Sequence, residues 1–320
     1  MEDRGRPTWE ERLPKRWRPV VGYAGALASA VAAGLLYAVN KQVTRDVSPL
    51  QVTFVEAAVA ALLLLPGYAM RFRKDPLPRG TPWVWLGLFG LTAVVLFYLR
   101  TLGISLTSPT TAALLTRVEI VIVLVYSYLF LTEKPTVIGW LGCLALVAGM
   151  VTALDLPAQG LVLRLTGVLA ALGCGAGIAI NSIIIKLKLG GVRSELIALA
   201  NVWTQVLLYP LALLAAGELL NLGEVLRQPR LLVLLVVGGA LIPGMLTTYY
   251  LSMKCIPMWS CRLLNLGTPV VAILAEYFWL RSAISVSQLV GLLLVTTGAA
   301  LVIMWGTPTV QRSECGAEVG

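Results

Sequence analysis

Apolar residues run along this chain in blocks of about twenty, separated by short stretches rich in Pro, Gly and charge. Crossing ~30 Å of hydrocarbon takes about 20 helical residues. Blocks of that length lie near 20–40, 49–70, 82–102, 109–131, 135–154, 164–186, 195–216, 231–253, 257–280 and 284–305. The pattern predicts an all-α integral membrane protein with ten transmembrane helices. Two junctions are tight, Leu106-Thr-Ser-Pro109 and Cys255-Ile256-Pro257. Proline in the first turn of a helix lacks only a donor that would be unpaired anyway, so Pro109 and Pro257 read as helix starts.

The pattern repeats. Gly142 and Gly149 return as Gly291 and Gly298, displaced by 149, and Leu114-Leu115 and Leu131 return as Leu263-Leu264 and Leu280. Earlier in each half Lys41 maps onto Lys186 at an offset of 145, a change that fits a loop insertion. Five spans is an odd number, so the second copy enters the bilayer upside down. The expected architecture is therefore two inverted-topology five-helix repeats, an arrangement that recurs in secondary transporters. The repeats are placed at 20–154 and 164–305, with cytoplasmic tails at 1–19 and 306–320. Ala28-Ser29-Ala30 resembles a signal-peptidase site, but cleavage there would remove half of a helix that has a counterpart in the second half.

Composition narrows the class. Apolar residues make up 58% of the 320 and charged residues 13%, too few charges for a surface facing water. The net charge of +9 does not point to nucleic acid, because the basic residues sit in short loops: sixteen Lys and Arg fall on the side of the N-terminal segment and six on the other. That bias places both termini in the cytoplasm, here of a bacterial inner or plasma membrane. The five cysteines fit no metal spacing and no disulfide framework. Histidine is absent, which removes Ser-His and Cys-His nucleophile pairs, an HExxH zinc site and a histidine proton relay. No cofactor, metal or nucleic-acid partner is expected. Nothing resembles a GxxxxGK[ST] nucleotide loop, so solute movement would draw on a gradient or exchange.

Thr107-Ser-Pro-Thr-Thr-Ala-Ala-Leu-Leu115, the long apolar helix after it, Leu131-Thr-Glu133 and the Gly142…Gly149 helix have an echo in Pro257…Leu264, Pro269, Leu280 and Gly291…Gly298. In these features the chain resembles the EamA-type drug/metabolite transporter superfamily, over roughly 20–154 and 164–305. The resemblance implies a central cavity formed by the first four helices of each half, alternating access of the halves, and peripheral fifth and tenth helices at a homodimer contact. Two positions depart from the family. Phe54-Val-Glu56 stands where many relatives carry arginine after the aromatic residue, and Ser282 replaces the second-half counterpart of Glu133.

A charge at the bilayer centre costs about 2.5–3.5 kcal/mol on insertion scales and persists where it faces protein or water. The informative set is Glu56, Arg100, Arg117, Glu119, Arg262 and Glu276. Glu56 and Arg117 lie about 10–12 Å from the outer ends of their helices, so a structural ion pair between them is one reading; an anion clamp built on the arginine fork is the other. Glu119, near mid-membrane, is a buried spacer or a proton-coupling or amine-binding carboxylate. Arg117 and Glu119, two residues apart on a regular helix, point about 200° apart, which predicts different partners. Arg262 either snorkels to the cytoplasmic interface or serves as a gate. Arg100 and Glu276 read as interfacial.

Uncharged polar and aromatic residues form a second pool: Tyr37, Asn181, Asn201, Trp203, Gln205, Tyr249, Tyr250, Trp259 and Asn265. Each is either helix–helix glue or pocket lining. Asn201 and Gln205 share a face, with Trp203 pointing elsewhere. Pro243-Gly244 and Pro269 fall in mid-span, where an interior proline kinks a helix, and they mark candidate hinges. Gly173-Cys-Gly-Ala-Gly177 allows close approach. The expected function is gradient-driven export or transport of a small polar metabolite, such as an amino acid. Lipid flipping and a membrane-embedded transferase are the rivals, the latter disfavoured because Asp46, Asp75 and Asp155 stand singly.

Overall fold

The computed structural model describes residue 14 and residues 17–74, 82–130, 136–154, 161–189, 192, 194–256 and 258–305. Their regular structure is all helix: α1 (Arg18–Val43), α2 (Pro49–Lys74), α3 (Trp83–Leu106), α4 (Pro109–Leu115), α5 (Val118–Phe130), α6 (Val137–Thr152), α7 (Leu161–Lys188), α8 (Ser194–Ala215), α9 (Leu222–Arg227), α10 (Pro229–Cys255), α11 (Met258–Asn265), α12 (Gly267–Phe278) and α13 (Val286–Trp305). Leu131, Glu133, Asp75, Asp155, Pro257 and both expected tails except residues 14 and 17–19 lie outside the described residues, as do the side chains of Lys186 and Trp259.

Local chemistry sets the boundaries. Prolines open α1, α4 and α10 in their first turns. Ser108 caps α4 by accepting from the Thr111 N–H at 3.1 Å, and Thr136 caps α6 by accepting from Gly139 at 3.0 Å. Lys41 at the end of α1 donates to the carbonyls of Ile104, Ser105 and Thr107 at 3.1, 3.0 and 2.5 Å. A cation there satisfies carbonyls that the end of α3 leaves unpaired.

Eight helical stretches among the described residues are long and apolar enough to cross a membrane, with Val137–Thr152 as a shorter apolar helix. Their outward faces carry large exposed apolar residues such as Leu62, Val84, Leu144, Leu207 and Leu293. Water would penalise such a surface, whereas hydrocarbon does not.

Two spans are not continuous. Between α4 and α5 the chain tightens: Arg117 N–H bonds Leu114 O, Glu119 bonds Thr116 O and Ile120 bonds Arg117 O, at 3.0, 3.3 and 3.0 Å. Between α11 and α12 Leu266 N–H bonds Leu263 O at 3.1 Å. These i→i−3 bonds mark a turn tighter than an α-helix. The interruptions share a register. α4 and α11 start at Pro109 and Met258, α5 and α12 at Val118 and Gly267, and α6 and α13 at Val137 and Val286, all with the 149-residue displacement of the sequence pattern.

The most extensive packing pairs α6 with α13, α1 with α10 and α3 with α7, and the pairs α2·α10 and α3·α8 are closely matched. α6 and α13 cross on glycine. A Cβ on Gly142 would lie 2.7 Å from Gly298 O, and one on Gly291 would lie 2.8 Å from Gly149 O. Backbones come this close only where no side chain intervenes. On α7, Gly175 meets the Thr116 carbonyl and Gly177 meets Leu96, so the glycine run lets α7 press against the α4–α5 turn.

The two proline sites differ from each other. Pro269 is the third residue of α12, in the first turn after the break. α10 runs unbroken through Pro243, and its Thr247 hydroxyl donates to Pro243 O at 2.6 Å. α2 and α8 also hold interior prolines, Pro66 and Pro210.

Candidate functional site

Where α1, α3, α7, α8, α10 and the two interrupted helices converge, they enclose a cavity of about 230 Å³. It brings together Arg117, Glu119, Asn181, Asn201, Tyr249, Arg262 and Asn265 from the sequence-predicted set, with Tyr37 and Tyr250. Arg100, Phe97, Phe89, Thr116, Cys174 and Thr268 also line it. Glu56 and Gln205 stand behind the wall. Trp203 packs with Leu36, Leu96 and Ile242 in an apolar cluster, away from the polar face of its own helix.

Glu56 is 0% exposed on α2, and its carboxylate approaches Arg100 on α3, with Nη2–Oε2 at 3.7 Å. Asn40 on α1 donates to the same carboxylate. Gly238 on α10 admits it, since any side chain there would collide with Glu56 Oε1. Arg100 stacks over Phe97, one turn back, at 4.4 Å from the ring centroid. Its Nε and Nη2 are buried without a hydrogen-bond partner among the described residues.

Four expectations change here. Arg117 does not pair with Glu56; Arg100 does. The third helix runs on to Leu106, which sets Arg100 about 9 Å inside the helix end at 1.5 Å per residue. That is close to the depth of Glu56, so Arg100 is buried and ion-paired, not interfacial. Arg117 and Glu119, expected to have different partners, pair with each other, with Nη1–Oε1 at 3.4 Å. The tightened turn is the reason. At about three residues per turn, positions two apart stand roughly 120° apart instead of about 160°, and two long side chains close that gap. Glu276 is also buried, at 6% exposure. It accepts from the Thr110 N–H and hydroxyl at 3.1 and 2.6 Å, capping α4.

The remaining polar groups are held in fixed positions. Gln205 donates to Asn201 Oδ1 at 2.7 Å and to Asn201 O at 3.1 Å, so one amide braces the other at the cavity wall. The Thr92 hydroxyl bonds the Asn181 carbonyl oxygen. Tyr37 and Thr116 hydroxyls lie 3.3 Å apart, joining α1 to the α4–α5 turn. Asn265 donates to Cys261 O at 2.9 Å across the α11 end. Arg262 has no carboxylate within ion-pair distance among the described residues. No group of three or more His, Cys, Asp or Glu able to hold a metal occurs among the described residues.

Sequence reasoning missed Arg100 as a cavity residue. The signal was present: a buried Glu56 needs a cation at its own depth, and extending the third span to the Thr107-Ser-Pro109 junction provides one. The aromatic partners Phe89 and Phe97 left no such signal, because they sit in an apolar run where any face is permitted.

The EamA-like transporter family matches residues 20–154 of the chain, consistent with the drug/metabolite transporter superfamily. A solved structure described as a crystal structure of a protein superposes with a TM-score of 0.59 at 18% identity, over 89% of this chain and 96% of that one. At that identity the likeness is one of fold. No curated protein matches the chain.

Proposed function

We propose, from the premise that residues 20–154 are an EamA-like transporter unit, that this chain is a secondary transporter moving a small polar metabolite through the central cavity by alternating access. The eight long apolar helices support the coarser part of that reading, an integral, multi-pass membrane protein, and the match over residues 20–154 supports a membrane transporter of the drug/metabolite type. Members of that family are transporters, not enzymes.

The observation that carries the finer reading is the cavity itself, which gathers charged and amide groups from both halves at the two helix interruptions. Broken helices at membrane depth are tolerated where they line a binding site. Adding Val137–Thr152 and the interrupted α11–α12 to the eight long apolar stretches gives ten spans. The shared 149-residue register of three pairs of helix starts supports a duplication, and the paired Gly142–Gly298 and Gly149–Gly291 approaches support a pseudo-two-fold between the copies. With five spans each, the copies are inverted, and both termini face the cytoplasm. The peripheral α6–α13 pair is where a homodimer contact would form. Glu119 is the coupling or solute-binding carboxylate, and Pro243, Gly244 and Pro269 are the hinge positions; Gly244 has open space around it.

Lipid movement remains the second reading, favoured by the apolar share of the cavity wall. Counterflow into proteoliposomes with pooled amino acids, organic acids, nucleosides and amines tests the transport reading, because only a solute carried across the bilayer accumulates.

A further inference from the structure

We infer that the ligand of this cavity is a small organic monoanion, a carboxylate on an apolar body, and that Arg100 acts with Arg117 and Arg262 in holding it. Calling that ligand a transported solute rests on the function proposed above.

The charge balance comes first. Arg100, Arg117 and Arg262 line the cavity against one lining carboxylate among the described residues, Glu119. Glu56, behind Arg100, brings the set to one net positive charge. An uncompensated cation removed from bulk water is costly, and a monoanion cancels it.

The donors agree with the charge. Arg100 is 7% exposed, yet its Nε and Nη2 lack an acceptor among the described residues, as does the buried Nε of Arg117. Glu56 at 3.7 Å supplies charge to Arg100 but is too distant for a hydrogen bond. Buried polar groups ordinarily find a partner, and the planar guanidinium fork matches a carboxylate. Arg100, Arg117 and Arg262 line one cavity, together with Tyr37 and Thr116, whose hydroxyls lie 3.3 Å apart.

The walls decide the rest of the ligand. Phe89, Phe97, Tyr250, Leu96 and Ile178 supply apolar surface, and Phe97 fixes the Arg100 plane from below. A cationic or zwitterionic ligand fits less well. Glu119 is already engaged by Arg117 at 3.4 Å, and among the described residues no second lining carboxylate is left to receive an ammonium group.

Equilibrium binding to the full-length protein in lipid nanodiscs tests this with three probes on one phenylpropyl skeleton: 3-phenylpropanoate, its isosteric amide 3-phenylpropanamide, and 3-phenylpropylamine. The acid is expected to bind at least tenfold more tightly than the amide, and the amine more weakly than either. Arg117→Gln should lose tenfold for the acid and keep the amide affinity. So should a Glu56→Gln, Arg100→Gln double variant, which removes both buried charges together and avoids stranding the carboxylate. The inference is overturned if the amide or amine equals the acid, if no probe binds, or if the folded variants leave the acid-to-amide ratio unchanged. A neutral or cationic solute accumulating in counterflow, with the acid excluded, sinks the anion inference and leaves transport standing. Acid binding with no flux of any solute keeps the anion site and sinks transport.

Discussion

Replacing Arg100 by glutamine should destabilise the fold more than replacing its partner Glu56, and replacing both should cost less than Arg100→Gln alone. Two unit charges 3.7 Å apart attract by about 4 kcal/mol at an effective dielectric of 20. Removing either charge forfeits that, but the two losses differ in what they strand. Glu56 is 0% exposed and keeps only Asn40 when Arg100 is gone, and an unpaired buried carboxylate costs about 3–5 kcal/mol. Arg100 without Glu56 keeps its place over Phe97 and faces the cavity, so Glu56→Gln should cost about 1–3 kcal/mol. With both charges removed, desolvation is relieved on both sides and about 1–2 kcal/mol of lost packing and hydrogen bonding remains. A double-mutant cycle by reversible unfolding in mixed micelles measures this coupling. Strictly additive single effects, or an Arg100→Gln variant within about 1 kcal/mol of the parent, would refute the reasoning that these two groups are a buried, mutually dependent pair.

Three further outcomes follow from the packing. Gly298→Val should weaken the α6–α13 crossing by about 1–3 kcal/mol, because even a Cβ there would lie 2.6 Å from Leu146 N; Gly87→Val, with open space around it, should be near neutral in the same unfolding assay. Glu276→Gln weakens the α4 cap that accepts from Thr110 and should cost about 1–2 kcal/mol, read as a shift in unfolding midpoint, whereas Glu276→Asp should recover part of it. A Pro243→Ala, Pro269→Ala double variant should slow transport in proteoliposomes while leaving equilibrium ligand binding intact; unchanged transport would remove the hinge assignment.

The eight long apolar stretches were legible because hydrocarbon imposes one strong constraint, a run of apolar residues of fixed length, and that constraint is written locally. The helix start at Pro109 follows from local chemistry in the same way. The interruption at Leu266 precedes Pro269, whose ring and missing donor disfavour continuous helix there. The one at Thr116–Arg117 was not legible, since it holds no residue that forbids helix; there Gly175 brings α7 against the Thr116 carbonyl. The error over Arg117 and Glu119 came from that alone, because a regular 3.6-residue period was applied across a turn that tightens. Arg100 reads as interfacial from a span ending at residue 102, four residues short of Leu106, which moves the side chain from the depth of Glu56 to the boundary. Polar residues such as Asn181, Asn201 and Asn265 were found because a buried amide in an apolar run needs a partner. Which of them face the cavity depended on packing that no single helix encodes.

The central claim is that this cavity is the solute pathway, and counterflow into proteoliposomes with a pooled metabolite panel read by mass spectrometry tests it most directly, comparing the intact protein with Glu119→Gln. The account predicts that one solute class accumulates with the intact protein and that the variant, folded to the same extent, loses it. No accumulation across amino acids, organic acids, nucleosides and amines, or equal accumulation by Glu119→Gln, would contradict it.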